Sequence, residues 1–245
     1  MGTIGYGYGS EWQLLQYLGR RRKALTAAVQ DVTGVDGLQW LDDEERAEEG
    51  VLKVREHKGL RFLPTGDPAR TAWEAIWPQS GNAHNWDAVG LGQTDGKHTW
   101  VLVEAKAHVG ELNSSCGASD ASLKAIKSIL DGARQDLKVT SGGEWTEGYY
   151  QAANRIVLLN FLVNLGLDAH LVFLYFTGDR MDLGSAGRVC PADEPGWRSA
   201  LTMQEEHLGL PDNAPIKARI HSLFLPAYRI TVAETALRPE FVRRS

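Results

Sequence analysis

The pair Asp95-Gly96 constrains the fold of this chain more than any other feature. It lies between two apolar stretches, 86–91 and 99–107, and an Asp-Gly pair so flanked is a strong signal for a two-residue β-hairpin turn. With the turn centred there, Thr94 pairs with Lys97, and counting outward sets Asp87 opposite Glu104. Directly opposed residues of antiparallel strands share a face, with Cβ atoms about 4.5–5.5 Å apart. Two carboxylates so placed repel each other. A divalent metal would relieve the repulsion and take both as ligands. Lys106 follows Glu104 by two residues, so it shares the same face of the same strand.

The alternation of side chains supports a site at one end of this hairpin. One face of the second strand reads Thr99, Val101, Val103, Ala105, Ala107, small and apolar throughout. The other reads Trp100, Leu102, Glu104, Lys106, His108 and turns charged toward its end. The first strand carries Asp87, Val89 and Leu91 on one face, again with its charge away from the turn. Such a pattern suits strands with one end in a core and the other opening into a cleft. The competing reading is an ordinary salt bridge of Lys106 with Asp87 or Glu104 on a solvated face. The Trp, Ala, Val and Leu neighbours argue against full solvation and favour the catalytic reading.

Length and composition admit an ordinary globular protein. At 245 residues, 43% hydrophobic and 23% charged, the chain can bury a sizeable core without a disulfide or metal staple. The hydrophobic segments interleave too closely for a domain cut, so residues 1–245 read as a single domain. Cys116 and Cys190 have no metal-ligand spacing and suggest a reducing compartment, hence a cytoplasmic location. No apolar run reaches membrane-spanning length, and the most apolar segment, 156–167, is interrupted by Asn160 and Asn164. The net charge of −5 is not that of a protein that grips nucleic acid over its whole surface. It leaves room for local basic patches. Arg20, Arg21, Arg22 and Lys23 form the densest run, and Lys124, Lys127, Arg134 and Lys138 form a second set.

Around the hairpin, periodicity predicts helices over 11–32, 69–77, 120–138 and 147–165, and one after Pro195. Ser10 is the expected N-cap of the first and Ser119 or Asp120 that of the third. Residues 42–49 read as an acidic, solvated helix, and 51–63 as a strand or hairpin. Thr65-Gly66-Asp67-Pro68 is a turn. Residues 169–176 form a buried strand and 220–225 a last one. The glycine-rich residues 1–10 precede a helix without the Lys-Ser or Lys-Thr of a P-loop. The chain contains no Gly-x-Ser-x-Gly and no His-Glu-x-x-His, and neither cysteine sits in a nucleophile's context.

The order helix, antiparallel strands bearing Asp then Glu-x-Lys, helix, strand resembles the PD-(D/E)xK nuclease superfamily. The matching residues are Asp87 in Asn85-Trp86-Asp87-Ala88-Val89, and Val103-Glu104-Ala105-Lys106. Trp86 stands where that family often has proline. The resemblance implies an α/β fold with a restriction-endonuclease-like core, a mixed central sheet flanked by helices, and N- and C-terminal elaborations. The element order extends it over residues 11–176. It implies Mg²⁺, for which Mn²⁺ can substitute, held by Asp87, Glu104 and the carbonyl of Ala105. It further implies that Gln151, which shares a helical face with Arg155, reaches the carboxylates, and that Glu11 on the first helix supports the metal or its water. His84 and His108 flank the site without an assigned role.

The expected function is then phosphodiester hydrolysis. Lys106 positions the attacking water or stabilises developing negative charge, because two adjacent carboxylates push its pKa up, against use as a base. The expected partner is nucleic acid, DNA first, with no membrane; oligomeric state is open, a homo-oligomer included. The alternative is a nucleic-acid-binding or assembly protein that retains the fold and does not cut.

Overall fold

In the computed structural model, residues 9–41, 57–79, 85–179 and 190–228 are described. Among them the helices are α1 (Ser10–Arg20), α2 (Arg22–Thr33), α3 (Pro68–Ile76), α4 (Asp120–Asp136), α5 (Tyr150–Asn164) and α6 (Glu194–Leu208). The strands are β1 (Asp36–Trp40), β2 (His57–Lys58), β3 (Asn85–Trp86), β4 (Ala88–Thr94), β5 (Lys97–Lys106), β6 (Asp168–Thr177) and β7 (Ile220–Pro226). The β4–β5 turn forms about Asp95 and Gly96, both at positive φ, 51° and 74°. A two-residue type I′ turn requires that backbone. Thr94 faces Lys97, and the register runs without a slip to Ala88 facing Val103.

Five strands make one mixed sheet in the order β1-β4-β5-β6-β7. β4 runs antiparallel to both β1 and β5, and β6 and β7 continue parallel to β5. The chain is thus α/β, its mixed sheet flanked by helices. The period-2 pattern of β5 sorts its two faces. Val101, Val103, Ala105 and Ala107 pack with Val172, Leu174 and Phe176 against Leu14, Leu18, Leu25 and Val29 of α1 and α2. Leu102 lies on the opposite face with Leu171, Phe173 and Tyr175, under Trp73 of α3, Ile156 of α5 and Trp197 of α6. Glu104 and Lys106 belong to this second face, so both point toward α5. Among the described residues no helix is long and apolar enough to cross a membrane.

Several expectations change. The single helix expected over 11–32 is broken at Arg21, whose φ and ψ are −119° and 24°. A straight helix of that length would span about 33 Å, against about 19 Å between the outer strands of a five-stranded sheet. The break lets α1 follow the strand ends while α2 turns Leu25 and Val29 into the core. Ser10 is the first helical residue rather than the N-cap, which is Gly9. Ser119 does hold the cap position of α4, but makes no side-chain cap bond. The helix expected from 147 starts at Tyr150, because Gly148 has a φ of 69°. Of the expected strand over 51–63, only His57–Lys58 is strand among the described residues. The acidic run 42–49 and His84 lie outside them.

Candidate active site

Asp87 sits where the chain changes partners. Before it, β3 pairs with β2; after it, β4 pairs with β1 and β5. The chain bends at Asp87, its amide donates to the Val103 carbonyl at 3.1 Å, and its Oδ2 accepts the Ala105 amide at 2.7 Å. The expectation of a regular Asp87–Glu104 cross-strand pair is therefore corrected. The ladder ends at Ala88, and the carboxylate takes the place of a main-chain acceptor for Ala105. The bend keeps Asp87 beside β5 and close enough to Glu104 for the two charges to interact.

Glu104 and Lys106 are 2% and 8% exposed at the carboxyl end of β5. Lys106 Nζ donates to Glu104 Oε1 and, at 2.9 Å, to Gln151 Oε1. Gln151 stands in the first turn of α5, and its main-chain N–H donates to Ser114 Oγ at 2.9 Å. One helical turn on, on the same face, Arg155 Nε donates to Glu104 Oε2 at 2.8 Å. The other arms of this buried guanidinium donate to Asn154 Oδ1 at 2.7 Å and to the Asn85 carbonyl at 2.5 Å. Its carbon lies 5.0 Å from the centre of the Trp86 ring. Arg155 thus ties α5 to Glu104 and to the two residues that lead into Asp87.

Burial sets the electrostatics. It pushes the Asp87 carboxyl up to about 8, and Glu104 adds to the push, while Lys106, the Ala105 amide and Arg155 oppose it. Burial alone would raise Glu104 too, but Arg155 and Lys106 together outweigh it and hold Glu104 below the usual carboxylate range. Burial would lower Lys106, and the charges of Glu104 and Asp87 reverse that and raise it. Lys106 therefore stays a cation through neutral pH. This agrees with the expectation that it positions or stabilises rather than takes a proton.

Of the residues predicted from sequence, Asp87, Glu104, Lys106 and Gln151 converge. Ala105 lies among them, though the atom seen to engage Asp87 is its amide, not the carbonyl. Glu11 is exposed on α1, where its neighbour Ser10 donates from Oγ to Glu111 Oε1 at 3.3 Å. Glu111 was not foreseen. Its Oε2 accepts the Ala107 amide at 2.6 Å, its Oε1 lies 3.3 Å from His108 Nε2, and its charge helps hold Lys106 protonated. Arg155 was foreseen only as a neighbour of Gln151, although the four-residue spacing already put both on one face. Cys116 and Cys190 are unbridged. Burial and a hydrogen bond shared with Cys116 raise the Tyr150 phenol.

Among the described residues no three His, Cys, Asp or Glu side chains gather as a metal cage. Two carboxylates do suit an ion of the magnesium type, which is commonly held by one or two carboxylates, with water and substrate phosphate completing its shell. The raised pKa of Asp87 fits this too, since a divalent cation would favour the ionised pair.

The chain has no match among protein-family models, curated proteins or solved structures. The functional reading rests on the geometry and on the motif.

Proposed function

We propose that this protein is a metal-dependent nuclease that hydrolyses phosphodiester bonds, with DNA as its expected substrate, on a restriction-endonuclease-like core. The observation that carries this reading is the meeting of half-buried Asp87 with buried Glu104 and Lys106 at the carboxyl end of β5. The element order supports it: helices, the antiparallel strands β1, β4 and β5 with α3 and the β2–β3 pair inserted after β1, helices, then a strand parallel to the one that bears Glu104 and Lys106.

Asp87 and Glu104 would hold Mg²⁺, or Mn²⁺ in its place. When bound, such an ion supplies a water of lowered pKa and offsets charge on the phosphate. The chain's own groups do the rest. Lys106, kept protonated, donates to a phosphate oxygen as negative charge builds, or holds the attacking water by its oxygen. Gln151 aims the ammonium, and Arg155 fixes the Glu104 carboxylate. The surrounding apolar residues keep bulk water from screening these charges.

One observation favours the second reading, a nucleic-acid-binding or assembly protein that does not cut. Both Glu104 oxygens are already engaged, one by Lys106 and one by Arg155. Cleavage of plasmid and single-stranded DNA in Mg²⁺, Mn²⁺ and EDTA, with Lys106→Ala alongside, separates the two. The nuclease reading expects metal-dependent cutting that the variant loses. Cutting by Lys106→Ala at the parent rate would reject the assignment, and no cutting under any condition would favour the scaffold.

A further inference from the structure

The helix α5 lacks a side-chain cap of its own. The first amides of a helix find no acceptor within it, and a Ser, Thr, Asp or Asn just before the helix commonly supplies one. Tyr149 holds that position, with φ and ψ of −127° and 36°, and its side chain makes no capping bond. Acceptors for the first two helical amides come from Ser114 instead. Its carbonyl takes the Tyr150 amide at 3.1 Å, and its Oγ takes the Gln151 main-chain N–H at 2.9 Å. The Ser114 amide in turn donates to the Gly148 carbonyl at 2.7 Å, and the Cys116 amide donates to the Thr146 carbonyl at 2.8 Å. Residues 114–116 thus form a short parallel strap along 146–150, with Ser114 bridged to Tyr149.

The strap leaves β5 almost at once. Lys106 ends the strand, the Glu111 carboxylate pins the following turn to the Ala107 amide at 2.6 Å, and Leu112 is buried in the core. Ser114 comes two residues later. Its bond to Gln151 closes a ring, because Gln151 Oε1 accepts from Lys106 Nζ at 2.9 Å. Gln151 is therefore fixed at two points, its backbone by Ser114 and its side-chain oxygen by Lys106. Arg155, one turn further, is held differently. Its guanidinium bonds Glu104, Asn154 and the Asn85 carbonyl, and its backbone lies inside the helix. The end of a helix frays before its middle. Loss of the cap therefore loosens Gln151 first and leaves Arg155 on Glu104.

We infer that Ser114 is a positioning residue for the proposed reaction: by capping α5 it fixes Gln151, and through Gln151 it holds the Lys106 ammonium where charge builds on the phosphate. The inference rests on the nuclease reading. It divides the site into two parts. Asp87 and Glu104, with Arg155 behind Glu104, serve metal binding without help from Ser114. Lys106 and Gln151 serve the transition state and depend on it. Loss of an interaction made only in the transition state lowers kcat and leaves KM unchanged.

The test is steady-state cleavage of DNA in Mg²⁺ by the parent, Ser114→Ala, Ser114→Thr, Gln151→Ala, the double variant Ser114→Ala/Gln151→Ala, and Asp67→Ala. Asp67 caps α3, where its Oδ1 accepts the Ala69 amide at 2.8 Å, so its loss is a matched uncapping of a helix that bears no residue of the site. Thermal melts confirm that each variant is folded. Titration with Mn²⁺ in the absence of DNA reads the metal site, and amide hydrogen exchange reads the cap. A capping bond shifts the equilibrium at a helix end by about fivefold. Ser114→Ala should speed exchange at Gln151 by about that factor and not at Ile156–Leu159. It should lower kcat by about threefold or more at unchanged KM and Mn²⁺ affinity. Ser114→Thr keeps the acceptor and should restore kcat, and Asp67→Ala should leave it alone. Once Gln151 is gone, removal of the Ser114 hydroxyl should add no further loss. A parent-like kcat in folded Ser114→Ala, or the same further loss in the Gln151→Ala background, overturns the positioning role while cutting by the parent keeps the nuclease reading. An equal fall in Asp67→Ala overturns it as well, because uncapping a remote helix would then suffice. A parent that cuts under no condition overturns both.

Discussion

The raised carboxyl of Asp87 makes the stability of the metal-free protein depend on pH in a particular direction. Burial, then the charge of Glu104, lifts it from 3.8 to about 8. An acid whose folded pKa lies above its unfolded one favours the fold at low pH and loses that advantage as pH rises through the folded value. The loss therefore falls between about pH 4 and pH 8. At 1.36 kcal/mol per unit the ceiling is about 6 kcal/mol, and even a third of that, about 2 kcal/mol, moves Tm by about 4–8 °C in a chain of this size. Glu104 acts in the opposite sense. Held below its ordinary 4.5, it contributes stability that is lost only in acid. The perturbation is Asp87→Asn, which keeps an oxygen for the Ala105 amide and removes the charge. Thermal unfolding in EDTA at about pH 5, 7 and 9 should show the parent losing at least about 4 °C more than the variant between the two ends. Mg²⁺ at the alkaline end should restore much of the parent's loss and none of the variant's. Parallel profiles for the two proteins would refute the reasoning, because Asp87 would then not be a buried charge facing Glu104.

Arg155→Gln leaves Glu104 with one buried cation instead of two. It should cost about 3–5 kcal/mol in chemical denaturation and abolish cleavage, and Arg155→Lys should restore only part of the stability because a lysine cannot bridge Glu104, Asn154 and the Asn85 carbonyl together. Gln151→Ala removes one hydrogen bond to Lys106 and should cost about 1 kcal/mol of stability, while single-turnover cleavage falls by about tenfold or more. Gly96→Ala meets no atom within 4 Å of the new Cβ, so its loss of about 1–2 kcal/mol in denaturant melts reports the left-handed backbone alone.

The hairpin was legible because its causes are local. Asp95-Gly96 imposes the turn, the turn imposes the register, and strict alternation along β5 assigns every side chain to a face. Asp87, Glu104 and Lys106 were found together from those rules, while the strands β6 and β7 and the helices α3 and α6 were marked by apolar runs, periodicity and Gly/Pro breaks. The long helix was misread because Arg20, Arg21 and Arg22 favour helix as well as any neighbour. Only the width of the sheet, and the Tyr228 ring arriving from the far end of the chain, decide that it breaks. The bend at Asp87 had the same kind of cause: β3 leaves the main sheet to pair with β2, a choice made by packing and not by residues 85–88. Arg155 meets Glu104 across 51 residues of sequence, so no spacing rule could announce the contact. Glu111 lies only four residues from Ala107, but in a short 3-10 turn without periodicity to mark it. By itself the sequence determined which residues share a strand face, since that depends on bond geometry repeated every two residues. The tertiary structure alone decided which charges are buried and what neutralises them. Burial and charge pairing belong to segments brought together from across the chain, and they set the pKa values on which the proposed chemistry depends.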